Sequence, residues 1–212
     1  MLELIKGASV PNAEQLSEQY QMMNDRICAN VSAEKIQSVL ENFMDMNQEE
    51  ALFLFIEVPA PLDEETIISQ GAEGVVQTSE GWAYIENPHK DVYYLDNISS
   101  DRLKWLLKPF YEILIHDGMS SFGVGNPFYD EVGKYQYNNM IVFSQERLKE
   151  YAFLFEDEGI SETSHLVTAW DTFTDETPGI SELYKDSQGR NVYDVVEELE
   201  KSGLYKAEQR DR

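Results

Sequence analysis

The chain carries a single cysteine, Cys28, among its 212 residues, so no internal disulfide can staple the fold. Long hydrophobic runs are also missing. The longest, Ala51 to Ile56, is far short of the ~20 apolar residues needed to span a bilayer. The start, Met-Leu-Glu-Leu-Ile-Lys, lacks the basic region, the long apolar stretch and the small-residue cleavage site of a signal peptide. These shortages predict a reducing, cytoplasmic compartment and no membrane association. Cys28, beside Ile27, reads as a residue on a helix face rather than as a reactive thiol.

Basic residues are the other shortage. Sixteen Lys and Arg stand against 40 Asp and Glu, a formal charge of -24. The imbalance is concentrated. Between Lys35 and Lys90 lie 54 residues without Lys or Arg but with eleven carboxylates, and Glu150 to Tyr184 holds nine more. Such a field opposes direct binding of nucleic acid or an anionic membrane, which both depend on Lys and Arg. It suits a basic protein partner, and equally a chain kept soluble and monomeric by its charge.

What is present is enough to fold. Hydrophobic residues make up 42% and aromatics 12%, unlike acidic disordered chains. Leu16, Tyr20, Met23 and Ile27 fall at helical spacing, and Ile36, Val39, Leu40 and Phe43 repeat the pattern behind a Ser32 cap. Residues 1–48 are therefore expected to form an N-terminal helical hairpin. An α+β domain over residues 49–205 and a frayed tail over 206–212 follow it.

Within that domain, residues 52–56 read as a central strand and Val92 to Leu95 as another. A hairpin is expected between Val75-Val76 and the segment from Trp82 to Ile85. A helix through Leu103, Leu107 and Leu114 should kink or end a first segment at Pro109. Residues 120–124 and Met140 to Phe143 read as strands, with a Gly-Asn-Pro turn between them, and Leu148 to Phe155 as a helix capped by Ser144 and stopped by Gly159. Leu166 to Trp170 looks extended. Leu183-Tyr184 and Asn191 to Tyr193 look like a hairpin around a Lys-Asp-Ser-Gln-Gly-Arg turn, and a last helix carries Val195, Val196 and Leu199. The fold class is thus α+β, a mixed β-sheet with helices mainly on one side.

Catalytic motifs are scarce. His116-Asp117 with His89 and Asp171 resembles the ligand set of an HD-type metal phosphohydrolase, but that family is all-helical, and His116 reads better as a residue at a helix C-terminus, interacting with the dipole there. Asp171, Asp175, Glu176 and Glu182 lack the oxygen alternation of a calcium loop, because Phe173 interrupts it. Gly123-Val124-Gly125 has no third glycine or following helix to cradle a phosphate and reads as a tight turn. No nucleophile motif is found, and no cofactor or metal is expected.

The apolar strand from Phe53 to Val58, Asp91-Val-Tyr-Tyr-Leu-Asp96, Asp117-Gly118 through Phe122-Gly123, and Ala169-Trp-Asp-Thr-Phe173 together resemble small acidic bacterial immunity proteins encoded beside polymorphic toxins. The likeness covers roughly residues 50 to 205. It implies an inhibitor that binds over the active site of a basic toxin domain and needs no catalytic residues of its own. Aromatic anchors among carboxylates fit a partner rich in Arg and Lys. The residues expected to meet it are Asp63, Glu64, Glu65, Trp82 and Tyr84 in the first acidic stretch. In the second they are Glu156, Asp157, Glu158, Trp170, Asp171, Phe173, Asp175 and Glu176. The chain itself is expected to be a monomer or homodimer. Two other readings stay open: a nucleic-acid mimic with carboxylates spaced like phosphates, and an enzyme with a dispersed carboxylate or histidine site in a concave pocket.

Overall fold

The structure is a computed structural model and describes residues 2–60, 76–78, 81–83 and 89–210. Its strands are β1 (Ala8–Ser9), β2 (Gln19–Met22), β3 (Arg26–Asn30), β4 (Leu52–Pro59), β5 (Val76–Thr78), β6 (Gly81–Ala83), β7 (Lys90–Ile98), β8 (Ser121–Gly125), β9 (Glu131–Lys134), β10 (Asn139–Phe143), β11 (Ser161–Glu162), β12 (Ile180–Ser181) and β13 (Tyr205–Arg210). The helices are α1 (Ala33–Met46), α2 (Ser100–Leu107), α3 (Tyr111–His116), α4 (Leu148–Tyr151), α5 (Phe153–Glu156) and α6 (Val192–Glu200).

Nine strands form one mixed sheet in the order β11-β2-β3-β10-β9-β8-β4-β7-β13. Pairing is antiparallel except between β11 and β2. The period-two alternation of each strand divides the sheet into two faces. One face presents Ile27 and Ala29, Met140 and Val142, Val132, Phe122 and Val124, and Leu54, Ile56 and Val58, all buried in the main core. The helices lie on that face. α1 packs against β8 and β9, α6 against β4, α4 against β10, and α3 against both α1 and α6. The α+β architecture with helices on one side therefore stands, and α1 buries Ile36, Val39, Leu40 and Phe43 completely.

The N-terminal helical hairpin does not form. The stripe from Leu16 to Ile27 spans β2 and β3, which turn back on each other with Met22 opposite Ile27 and Tyr20 opposite Ala29. Helical spacing arose there because Tyr20 of β2 and Ile27 of β3 point to one face, while Met23 falls in the turn between the strands and is exposed. The competing alternation of Ile27, Ala29 and Val31 was the true signal. Cys28 accordingly faces away from the core on β3, half-buried, and burial raises its thiol pKa.

Other differences have local causes. Residues 169–172 form a 3-10 turn rather than a strand, with the Asp171 carboxylate accepting from both the N–H and the hydroxyl of Thr168 at 2.7 and 2.8 Å. The turn around Asp186 is present, its Oδ1 accepting from Gln188 and Arg190. Neither arm of the expected hairpin is a strand: β12 ends at Ser181, before Leu183-Tyr184, and Asn191 caps α6, with the Asp194 carboxylate reaching back to its N–H. Residues 206–210, expected to fray, form with Tyr205 an edge strand paired with β7. Its charged residues and the bulge between Lys206 and Glu208 blunt that edge. The helix break at Pro109 occurs as expected, between α2 and α3. So does the stop at Gly159, at φ +75°, but Ser144 does not cap the helix: its Oγ accepts from Arg147 N–H at 2.9 Å, Arg147 itself holds the N-cap position, and the expected helix is split at Ala152 into α4 and α5. β5 pairs antiparallel with β6; Val75 and Ile85 lie outside the described residues.

Candidate functional site

Among the described residues no helix covers the second face of the sheet. Register places its side chains in rows across the strands. The first row runs Phe53, Gly125, Glu131, Phe143. The next runs Tyr94, Phe55, Gly123, Gly133, Ile141, Cys28, and a third holds Val92, Glu57 and Ser121. Five of the side chains in these rows are aromatic or large aliphatic, yet three central positions are glycine. The glycines are there for the rings. A Cβ on Gly125 would sit 2.2 Å from the Phe53 ring, and one on Gly123 would sit 2.4 Å from Phe55 and 2.3 Å from the Val132 carbonyl oxygen. Phe53 and Phe55 thus lie flat over bare backbone, and the Gly-x-Gly of β8 is a ring seat inside a strand, not a turn.

At the end of the first row is a hollow of about 360 Å3, walled by Phe53, Tyr129, Phe143 and Pro127 with Glu131 among them. Burial raises the pKa of Glu131, and neighbouring Glu57 adds to this; a 3.3 Å hydrogen bond from the Tyr135 hydroxyl acts the other way. The rim is the β8–β9 turn, which exposes Phe128 and Tyr129 to 64% and 81%. Tyr129 sits at φ +66°, a conformation that costs a β-carbon residue roughly 1–2 kcal/mol.

A buried polar network holds that turn in place. Asn126 Oδ1 accepts from the N–H groups of Phe128 and Asp130 at 2.9 and 3.2 Å, and its amide donates to Asn47 at 3.0 Å and Asp130 at 3.2 Å. The Tyr151 hydroxyl donates to Asp130 at 2.8 Å, and Arg147 donates to Asn47 at 2.9 Å. Two exposed aromatic rings are therefore mounted on a loop whose base is fixed from α1, α4 and the segment before it.

Further along the same face, ~13 Å from Phe53 at four residues of strand rise, a second hollow of about 230 Å3 is lined by Lys90, Ser121, Tyr135, Ile141 and Trp170. Lys90 is ion-paired with Glu57 at 3.4 Å, and Arg210 reaches the other Glu57 oxygen at 2.9 Å. Trp170 is about half exposed and packs edge-on with Tyr137 and Phe173, ring centres 5.0 and 5.3 Å away. The two hollows and the aromatic turn form one candidate binding face.

The sequence-derived partner residues divide. Trp170 and Phe173 are brought together beside this face, with exposed Asp175 and Glu176 on the loop that follows. Asp171 is exposed but committed to Thr168, whose hydrogen bonds lower its pKa. Glu156, Asp157 and Glu158 lie on the helical side: Glu156 accepts from the Tyr20 hydroxyl at 2.8 Å and Glu158 from Ser38. Trp82 falls in β6, while Asp63, Glu64, Glu65 and Tyr84 lie outside the described residues. Phe53, Phe128, Glu131 and Phe143 escaped sequence reasoning; the alternation Phe53-Leu-Phe55-Ile-Glu57 was the available signal that β4 has two unlike faces.

His116 and Asp117 are occupied structurally. Asp117 is fully buried, and its carboxylate accepts from the N–H groups of Met119, Ser120 and Tyr184 at 2.9, 2.8 and 3.0 Å. His116 ends α3, but its Nδ1 accepts from Lys6 N–H at 3.2 Å, and burial with the nearby Lys6 charge lowers its pKa to about 4. Among the described residues no group of three or more His, Cys, Asp or Glu is placed to hold a metal ion. The depressed histidine has a stability consequence. An unfolded imidazole titrates near 6.5, so the unfolded state takes up the proton first and stability falls as pH drops from about 6.5 toward 4. In urea titrations at pH 7 and 4.5, His116→Asn, which keeps an acceptor but does not titrate, should lose about 1–2 kcal/mol less than wild type, after discounting for solvent screening. Equal losses would remove His116 as a source of acid sensitivity.

Among the described residues no helix is long and apolar enough to cross a membrane. Comparison with family models, with curated proteins and with solved structures finds no match to this chain.

Proposed function

We propose that this chain is an acidic protein-binding inhibitor of the immunity type, which neutralises a basic partner such as a toxin or nuclease domain. The observation that carries the reading is the turn at Phe128 and Tyr129, where two highly exposed rings are fixed by a buried hydrogen-bond network on a chain of charge -24. Exposed rings with a rigid base suit binding anchors, since little ordering entropy is lost when a partner covers them. Trp170 supplies a further anchor on the same face. The surrounding negative field accelerates encounter with a basic partner by ~10- to 1,000-fold at low salt.

The test is growth rescue and association kinetics. A gene for a secreted protein with a basic C-terminal toxin domain should neighbour this one, and co-expression of this chain should restore growth of cells making that domain. Reversing Asp175 and Glu176 to Lys should slow association at least about threefold at low salt and leave the fold intact, with the difference vanishing as salt rises. Asp171 is kept in this variant because it caps the 169–172 turn. Growth arrest that the chain fails to relieve overturns the reading. An unchanged on-rate removes that loop from the interface.

A further inference from the structure

The hollow beneath Tyr129 has a composition that specifies its occupant. Three aromatic rings, Phe53, Tyr129 and Phe143, stand around one carboxylate, Glu131. Its volume of about 360 Å3 is at the small end of ligand cavities, suited to one side chain rather than a cofactor. Ring faces carry negative electrostatic potential and attract cations, most strongly where water is partly excluded. The chain already uses one of these rings in that way, with the Arg26 guanidinium 5.9 Å from the Phe143 centre.

Glu131 gives the hollow its sign. Its hydrogen-bonding partner is the neutral Tyr135 hydroxyl, and among the described residues it forms no ion pair. The charged groups facing it are Glu57 and Arg210, and Arg210 is already bound to Glu57 and Glu208 at 2.9 and 2.5 Å. A carboxylate held half-buried without its own cation lies in a site that a ligand cation would complete. We propose that the hollow formed by Phe53, Tyr129, Glu131 and Phe143 is a binding pocket for one arginine side chain of a basic protein partner. Guanidinium suits it better than ammonium, because its plane stacks on aromatic rings while its edge donates to a carboxylate. The three methylenes of the stem would lie along Phe53 and Pro127.

This assignment rests on the basic-partner reading and is tested without that partner. The probe is N-acetyl-arginine methylamide, titrated into the whole protein and followed by amide and aromatic NMR shifts, with the uncharged isostere N-acetyl-citrulline methylamide as control. Saturable shifts are expected at Phe53, Tyr129, Glu131 and Phe143, with affinity at least about tenfold above that of the citrulline compound. Glu131→Gln should abolish that preference, and Glu131→Asp should keep part of it. Phe143→Leu should weaken binding several-fold. Equal affinity for the two compounds, shifts confined to other surfaces, or an undiminished preference in Glu131→Gln each overturns the pocket. Growth rescue by this chain with no response to the arginine probe would overturn the pocket alone. A specific probe response without rescue would overturn the inhibitor reading alone.

Discussion

Replacing Gly118 with alanine should destabilise the protein by at least about 3 kcal/mol, because a methyl group there has nowhere to go. Three separate segments meet at this point. Gly7 N–H donates to the His116 carbonyl at 2.8 Å, Gly118 N–H to Glu182 at 3.0 Å, and Glu182 N–H back to Gly7 at 2.8 Å. A Cβ on Gly118 would lie 1.8 Å from the Gly7 carbonyl oxygen and 2.7 Å from its carbon. Both obstacles are backbone, so no side chain can rotate aside. Relief requires the N-terminal segment to separate from residues 116–118, which would break the ring of hydrogen bonds and disturb the β1–β12 pair beside it. Alanine at Gly189, which has φ +80° but open space around it, is the control. It should cost only about 1 kcal/mol. Urea denaturation of the two variants checks the contrast, and similar losses would mean that the junction yields.

The contribution of Lys134 to stability should rise, rather than fall, between pH 8 and 10. Lys134 on β9 points into the helical side of the sheet and is fully buried; its ammonium donates to the backbone carbonyls of Asp117 and Ser120. Burial lowers its pKa to about 8, against an opposing contribution from Asp117. In the unfolded chain the same lysine titrates near 10.4. Between those values the unfolded state holds a proton that the folded state has released, so the free energy of unfolding increases with pH. The gain across the window is on the order of 3 kcal/mol. Toward pH 10 it is opposed by tyrosines such as Tyr111 and Tyr135, whose pKa values burial raises and which ionise first in the unfolded chain, so the Lys134 part is read from a variant. Lys134→Met does not titrate, and the stability difference between it and wild type should therefore shift by about that amount from pH 8 to 10. A constant difference would show that Lys134 keeps its ordinary affinity for the proton. Because its acceptors lie at residues 117 and 120, Lys134 also ties β9 to the segment whose glycine closes the junction just described.

Local signals made much of this fold readable. The stripe of α1, the break at Pro109, the stop at Gly159 and the double-sided apolar run of β4 each depend on chemistry within a few residues, and each is found in the structure. Reading failed where two elements shared one pattern. Leu16 to Ile27 looked helical because a tight turn at Met23 to Asp25 brought two strands onto one face. Tyr205–Arg210 looked like a tail because an edge strand facing water is polar on both sides.

Acidity, the single thiol and the α+β character were fixed by composition and local pattern, which no partner strand can alter. The binding face was decided by the tertiary structure. Phe53, Glu131 and Phe143 are separated by up to 90 residues in the chain and become neighbours through strand register. The glycines between them gain meaning when a ring is laid over them. Burial of Lys134, the occupied oxygens of Asp117 and the fixed posture of Tyr129 likewise follow from long-range hydrogen bonds and packing. Sequence sets which groups a chain carries and the local preferences of its segments; which marginal segments become strands, which groups share a face, and which lose water, is set by how those segments pair.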